Sequence, residues 1–120
     1  MPPLEEMDRN QDAVLWPFRG EDANGMPVVG QPVQLRVRWV DGVKSGTDPK
    51  GNPIAILAQV VVDRDVPINS VMCKGLVSSL PVPDAQLRRV IGFQSADSLK
   101  GEATRREVTL AKGGKLPQIV

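Results

Sequence analysis

The sequence predicts an all-β protein, a small antiparallel β-barrel or sandwich with long loops and flexible termini. Three observations carry this. In Val33–Val40 the apolar Val33, Leu35, Val37 and Trp39 alternate with Gln34, Arg36 and Arg38, and a period of two places the two sets on opposite faces of a strand. Ile54–Val62 is rich in β-branched residues, which fit a pleated, half-buried surface. The chain also holds 11 glycines and 11 prolines in 120 residues, punctuation too dense for long helices.

The elements follow in order. Residues 1–12 are polar and begin Met1-Pro2-Pro3, so they read as an N-terminal arm that a partner orders. Ala13–Phe18 is a first strand, with Pro17 marking an edge or a bend. Asp22-Ala23-Asn24-Gly25 is a turn signal within Arg19–Gly30 and predicts a hairpin loop. Asp41–Pro53, with Asp41-Gly42, Ser45-Gly46 and Asp48-Pro49-Lys50-Gly51-Asn52-Pro53, reads as a loop longer than a tight hairpin needs. Val71–Lys74 is a short strand closed by Gly75. Pro83 and Asp84 start one helical turn, and a strand follows from about Arg89. Thr104–Leu110 is the last strand, alternating Thr104, Arg106, Val108 and Leu110 with Arg105, Glu107 and Thr109. The domain thus spans 13–110, with a C-terminal tail, 111–120, whose Ile119 and Val120 dock on a neighbour.

Charge is unevenly spread. Residues 1–32 carry two basic and six acidic groups, a net of −4, whereas residues 86–120 carry seven basic and three acidic groups, a net of +4. This polarity is neutralised within one fold, or between neighbouring subunits, or by a phosphate backbone. The N-terminus has no apolar core of a signal peptide, and no run reaches the roughly 18 apolar residues that span a bilayer. A soluble protein made in the cytoplasm is expected, with no membrane partner.

The residues offer little chemistry. Histidine and tyrosine are absent, so acid–base work would fall on Asp, Glu or Lys, and no pair stands out. No Gly-rich phosphate loop or nucleophile elbow occurs. Cys73, the single cysteine, reads as a small buried hydrophobe. Asp63-Arg64-Asp65 puts two carboxylates on one side of an extended chain, but further ligands at calcium-loop spacing are missing. No enzyme, metal or cofactor is expected. The basic residues are the remaining candidates for a channel or an interface: Arg36, Arg38, Lys44, Lys50, Arg105 and Arg106. Adjacent strand residues point opposite ways, so only one of Arg105 and Arg106 faces a given surface.

The segment order carries a family resemblance. It runs from Ala13-Val14-Leu15-Trp16 through Val37-Arg38-Trp39, the Asp48–Gly51 turn and Val60–Pro67 to Val90-Ile91-Gly92-Phe93 and Arg105-Arg106-Glu107-Val108. This order, over residues 13–110, resembles small tailed-bacteriophage neck proteins of the head-completion type, also described as stoppers or head-tail connectors. The resemblance implies a minimal β-barrel that forms a homo-oligomeric ring in the virion neck. A portal or adaptor ring would sit above it, tail terminator or tail proteins below, and a loop would reach packaged DNA without sequence preference. Arg19–Gly30 and Asp41–Pro53 are the two loop candidates. Trimming residues 1–12 or 111–120 is expected to block assembly and leave the β-fold intact. Alternatives are another virion part, such as a tail terminator or capsid decoration protein, and a single-strand nucleic-acid binding module on an OB-like barrel.

Overall fold

The computed structural model describes residues 11–47, 50–97 and 104–120, with residues 96, 97 and 104 described by backbone only. Six strands close an antiparallel barrel: β1 (Gln11–Trp16), β4 (Val33–Thr47), β5 (Pro53–Val62), β8 (Thr104–Lys112), β7 (Arg88–Asp97) and β6 (Val71–Lys74), in that order around it. The remaining strands, β2 (Phe18–Glu21), β3 (Pro27–Val29) and β9 (Gln118–Ile119), form a separate three-stranded sheet. The expected all-β barrel is therefore present, and it has a second layer.

Alternation builds the barrel interior. Leu35, Val37 and Trp39 of β4 face inward with Ala58, Val60 and Val62 of β5 and Val108 and Leu110 of β8. Ala13 and Leu15 of β1, Val66, Met72 of β6 and Val90 of β7 complete this core. The second core lies outside the barrel wall. Val14 and Trp16 of β1 and Val71 and Cys73 of β6 point outward and are covered by Val29, Leu87, the segment carrying Val77, Leu80 and Val82, and Leu116 of the tail. The run Ala13-Val14-Leu15-Trp16 is apolar at every position because both of its faces are buried.

Side chains splice irregular backbone onto the strands. Gln34 Nε2 donates to the carbonyls of Ala13 and Gly75, both at 3.1 Å, and its Oε1 accepts from the Val77 N–H at 2.8 Å. Gln11 Oε1 accepts from the Trp39 N–H at 2.6 Å, extending the pairing past the start of β1. Ser70, buried, accepts from the Phe18 N–H through Oγ at 2.9 Å where Pro17 separates β1 from β2.

Four expectations are corrected. Asp41–Pro53 is a loop only in part: β4 continues to Thr47 and pairs Lys44 with Ile56, Ser45 with Ala55, Gly46 with Ile54 and Thr47 with Pro53, and a turn remains at residues 50–52. The register shifts between Asp41 and Lys44, so a bulge absorbs the Asp41-Gly42 turn signal. Residues 48 and 49 lie outside the described residues, as do 1–10 of the arm. The first strand starts at Gln11 and stops before Pro17, which splits off β2. The tail docks on its own chain, where β9 pairs in parallel with β3, Val28 beside Gln118 and Val29 beside Ile119. Neither truncation is therefore neutral to the fold. Gln11 and Asp12 pair with β4, Ala111 is fully buried, and Leu116 packs on the second core. The turn at Asp84–Gln86 and the strand after it are present as expected, although that strand runs on to Asp97.

The register fixes what protrudes. β8 accompanies β5 only from Ala58 to Val62, so residues 41–47 and 53–57 form a two-stranded ribbon beyond the barrel. The ribbon is about 20 Å long at roughly 3.3 Å per residue. The β7–β8 hairpin leaves the opposite end, past the pair Val62 and Arg106.

Candidate functional site

The six basic candidates fall in three places. Arg36 and Arg38 project from the outer barrel wall, both exposed. Arg36 pairs with Asp12 of β1 at 3.1 Å. In the row through Arg38, Val61 of β5 and Glu107 of β8 follow across the sheet. Arg105 lies two residues from Glu107 on the same face, with its guanidinium 3.8 Å from that carboxylate. The wall is thus a lattice of mixed charge, and each exposed pair contributes only about 0–1 kcal/mol.

Arg106 takes the other face, as alternation requires. It sits beside Val62 and reaches Asp65 at 3.0 Å at the barrel end. Lys44 and Lys50 belong to the ribbon, Lys44 opposite Ile56 and Lys50 exposed in the turn at its tip. The structure joins Arg36, Arg38 and Arg105 on one wall and separates the other three from them.

A cleft of about 430 Å³ lies at the base of the ribbon, lined by Trp39, Asp41, Leu57, Lys74, Gln86 and Arg88 among others. The Lys74 ammonium donates to Asp41 Oδ2 and lies 5.9 Å from the centroid of the Trp39 ring. The Trp39 indole donates to the other Asp41 oxygen at 2.9 Å. The Lys74 hydrogen bond is the main cause that holds the Asp41 carboxyl below its ordinary value; burial opposes it, and the Trp39 indole adds a smaller lowering. With both carboxylate oxygens engaged, this pair is a clamp between β4 and β6 at the base of the ribbon.

The second opening is an apolar groove of about 370 Å³ beside β9, lined by Trp16, Pro32, Leu80, Val82, Leu116 and Ile119 and rimmed by Asp84. The Trp16 indole nitrogen is buried and has no acceptor among the described residues. Sequence reasoning missed this groove. Its signal was the unbroken apolar run at 13–16 together with the apolar residues scattered through the Pro-rich stretch after Gly75.

The remaining candidates are structural. Asp63 pairs with Arg64 at 2.8 Å, and Asp65 is engaged by Arg106. Among the described residues no group of three or more Cys, Asp or Glu is placed to hold a metal ion. Cys73 is buried, and desolvation raises its thiol pKa, as for a protonated core residue. No helix among the described residues is long and apolar enough to cross a membrane. No protein-family model, curated protein or solved structure matches the chain.

Proposed function

We propose that the protein is a structural subunit of a tailed-phage neck, a head-completion or stopper ring that joins head to tail and helps retain packaged DNA. The observation that carries this reading is the ribbon of residues 41–47 and 53–57. A closed barrel has no edges of its own to offer a partner, whereas among the described residues no further strand pairs with either side of the ribbon beyond the barrel. Projecting hairpins at opposite ends of a small rigid barrel suit a subunit that must touch lateral neighbours and two stacked rings at once. The segment order and length agree with that family's pattern.

Negative-stain images of the purified protein, alone and mixed with a portal or adaptor ring, test the proposal. Rings of uniform diameter are expected, with the protein at the head–tail junction in labelled virions. Particles that carry the protein on the capsid surface or along the tail would move it to a decoration or tail role.

A second reading, single-strand nucleic-acid binding on an OB-like barrel, draws on the shared exposure of Arg36 and Arg38. Two features weigh against it. Asp12 and Glu107 dilute the basic wall. Trp16 and Trp39 are both buried, which leaves no indole as an open platform for stacked bases. Fluorescence titration with a labelled oligonucleotide at low salt is expected to show weak binding at most. A tight, salt-dependent complex that weakens in Arg36→Ala and Arg38→Ala would support this reading instead.

A further inference from the structure

We infer that the mouth of the barrel at its ribbon end binds a small organic phosphate, with the phosphate group held between Arg88 of β7 and Lys112 of β8. The inference goes beyond the ring reading and does not depend on it.

Register brings the two cations together. Val90 and Leu110 are cross-strand partners, and both lie in the barrel core. Arg88 and Lys112 are the next such pair on the same face, two residues farther along. The same step leads from Met72 to Lys74 on β6 and from Trp39 to Asp41 on β4, and Asp41 pairs with Ala58 where the ribbon departs. Rows that are apolar inside the barrel thus end in a charged rim at this mouth.

The cations of the rim are not evenly matched. Asp41 has both oxygens taken, by Lys74 and by the Trp39 indole. Arg88 donates through Nη1 to the carbonyls of Ala85 at 2.7 Å and Leu87 at 3.0 Å, and among the described residues no carboxylate forms an ion pair with it. Lys112 is exposed and is likewise outside those pairs. Directly opposed strand residues hold their Cβ atoms about 4.5–5.5 Å apart, and like charges so placed repel. A dianion seated between them turns that repulsion into attraction from both sides.

The surroundings suit a phosphate that carries an organic body. The two carbonyl contacts anchor the Arg88 guanidinium through one nitrogen and leave Nε and Nη2 to donate in parallel to two phosphate oxygens. The Lys112 ammonium adds the second charge. The cleft of about 430 Å³ opens beside Arg88 and exceeds what a bare phosphate fills. Trp39, Val43 and Leu57 give its wall an apolar part, and Gln86 adds an amide. An apolar wall with a few convergent polar groups at a barrel mouth is a favoured setting for a small ligand.

Calorimetric titration with phenyl phosphate at low salt tests the inference, with phenol as the neutral control. Saturable binding at one site is expected, and phenol should bind at least tenfold more weakly. Arg88→Gln should abolish binding, and Arg88→Lys, which keeps the charge and loses the fork, should recover only part of it. Lys112→Gln, at an exposed position, should weaken binding at least tenfold. Without ligand it should melt at or above the parent temperature, because the repulsion is relieved. No saturable binding, equal binding of phenol, or parent-like binding by Lys112→Gln would overturn the inference. So would a Lys112→Gln variant that melts below the parent, since the lysine would then serve the fold. An oligonucleotide that displaces phenyl phosphate and binds more tightly than it would also overturn the inference, in favour of a nucleic-acid backbone as the ligand.

Discussion

Replacing Leu110 by alanine is expected to cost about 2–5 kcal/mol of unfolding free energy. Leu110 is fully buried and lies in register between Ala58 of β5 and Val90 of β7. The truncation opens a void where three strands meet, and a closed barrel cannot slide its strands to fill it without breaking register. A small domain holds only about 5–15 kcal/mol in total, so the loss is a large fraction of the whole. Urea titration followed by circular dichroism reads it as a lower midpoint at unchanged slope. Val43→Ala, on the ribbon, is the control and should change stability by no more than about 0.5 kcal/mol. A Leu110→Ala cost below about 1 kcal/mol would mean that the barrel interior is not packed as described.

Excising the ribbon should separate folding from assembly. Residues 42–57 can be replaced by Asn-Gly, a two-residue hairpin turn, because Asp41 and Ala58 are already cross-strand partners. The barrel pairs from Ala58 to Val62 and the clamp between Asp41 and Lys74 are retained. The shortened chain is expected to melt cooperatively, near the parent temperature, and to form no rings in sedimentation or in negative stain. Rings from the shortened chain would move the lateral contact to the barrel wall, where Arg36, Arg38 and Arg105 would become the next residues to test.

The barrel was legible in the sequence wherever a strand had one wet and one dry face. Val33–Val40 and Thr104–Leu110 alternate, and each became a barrel strand, with Leu35, Val37, Trp39, Val108 and Leu110 inward and only Val33 and Val40 at the ends of the first run exposed. The same alternation separated Arg105 from Arg106. Legibility failed where pairing overrode local preference. Asp41-Gly42 and Ser45-Gly46 are turn-formers, yet β-branched Ile54 and Ile56 across the ribbon recruit them into β4. Gly46 suits this position because the Ile56 side chain lies over it, where an added Cβ would fall 2.4 Å from Ile56 Cδ1. Gln94 and Ser95 gave no apolar period because both stay exposed where the hairpin projects. The docking of Gln118 and Ile119 on β3 joins segments about ninety residues apart, a non-local pairing that no window of the sequence contains. The groove depends on that docking, and so was hidden for the same reason.

Barrel closure also governs how the protein behaves when crowded. Open sheets offer long unpaired edges that template fibres. Here the barrel strands close on one another, and the edges that remain among the described residues lie on the ribbon, the β7–β8 hairpin, β2 and β9. Those of the ribbon carry Lys44 and Pro53, a charge that repels a like strand and a residue that cannot donate to one. β2 is interrupted by a register shift around Gly20, which breaks its line of donors and acceptors. Closure thus withholds from most of the described strands the unpaired edges on which amyloid-like stacking is templated.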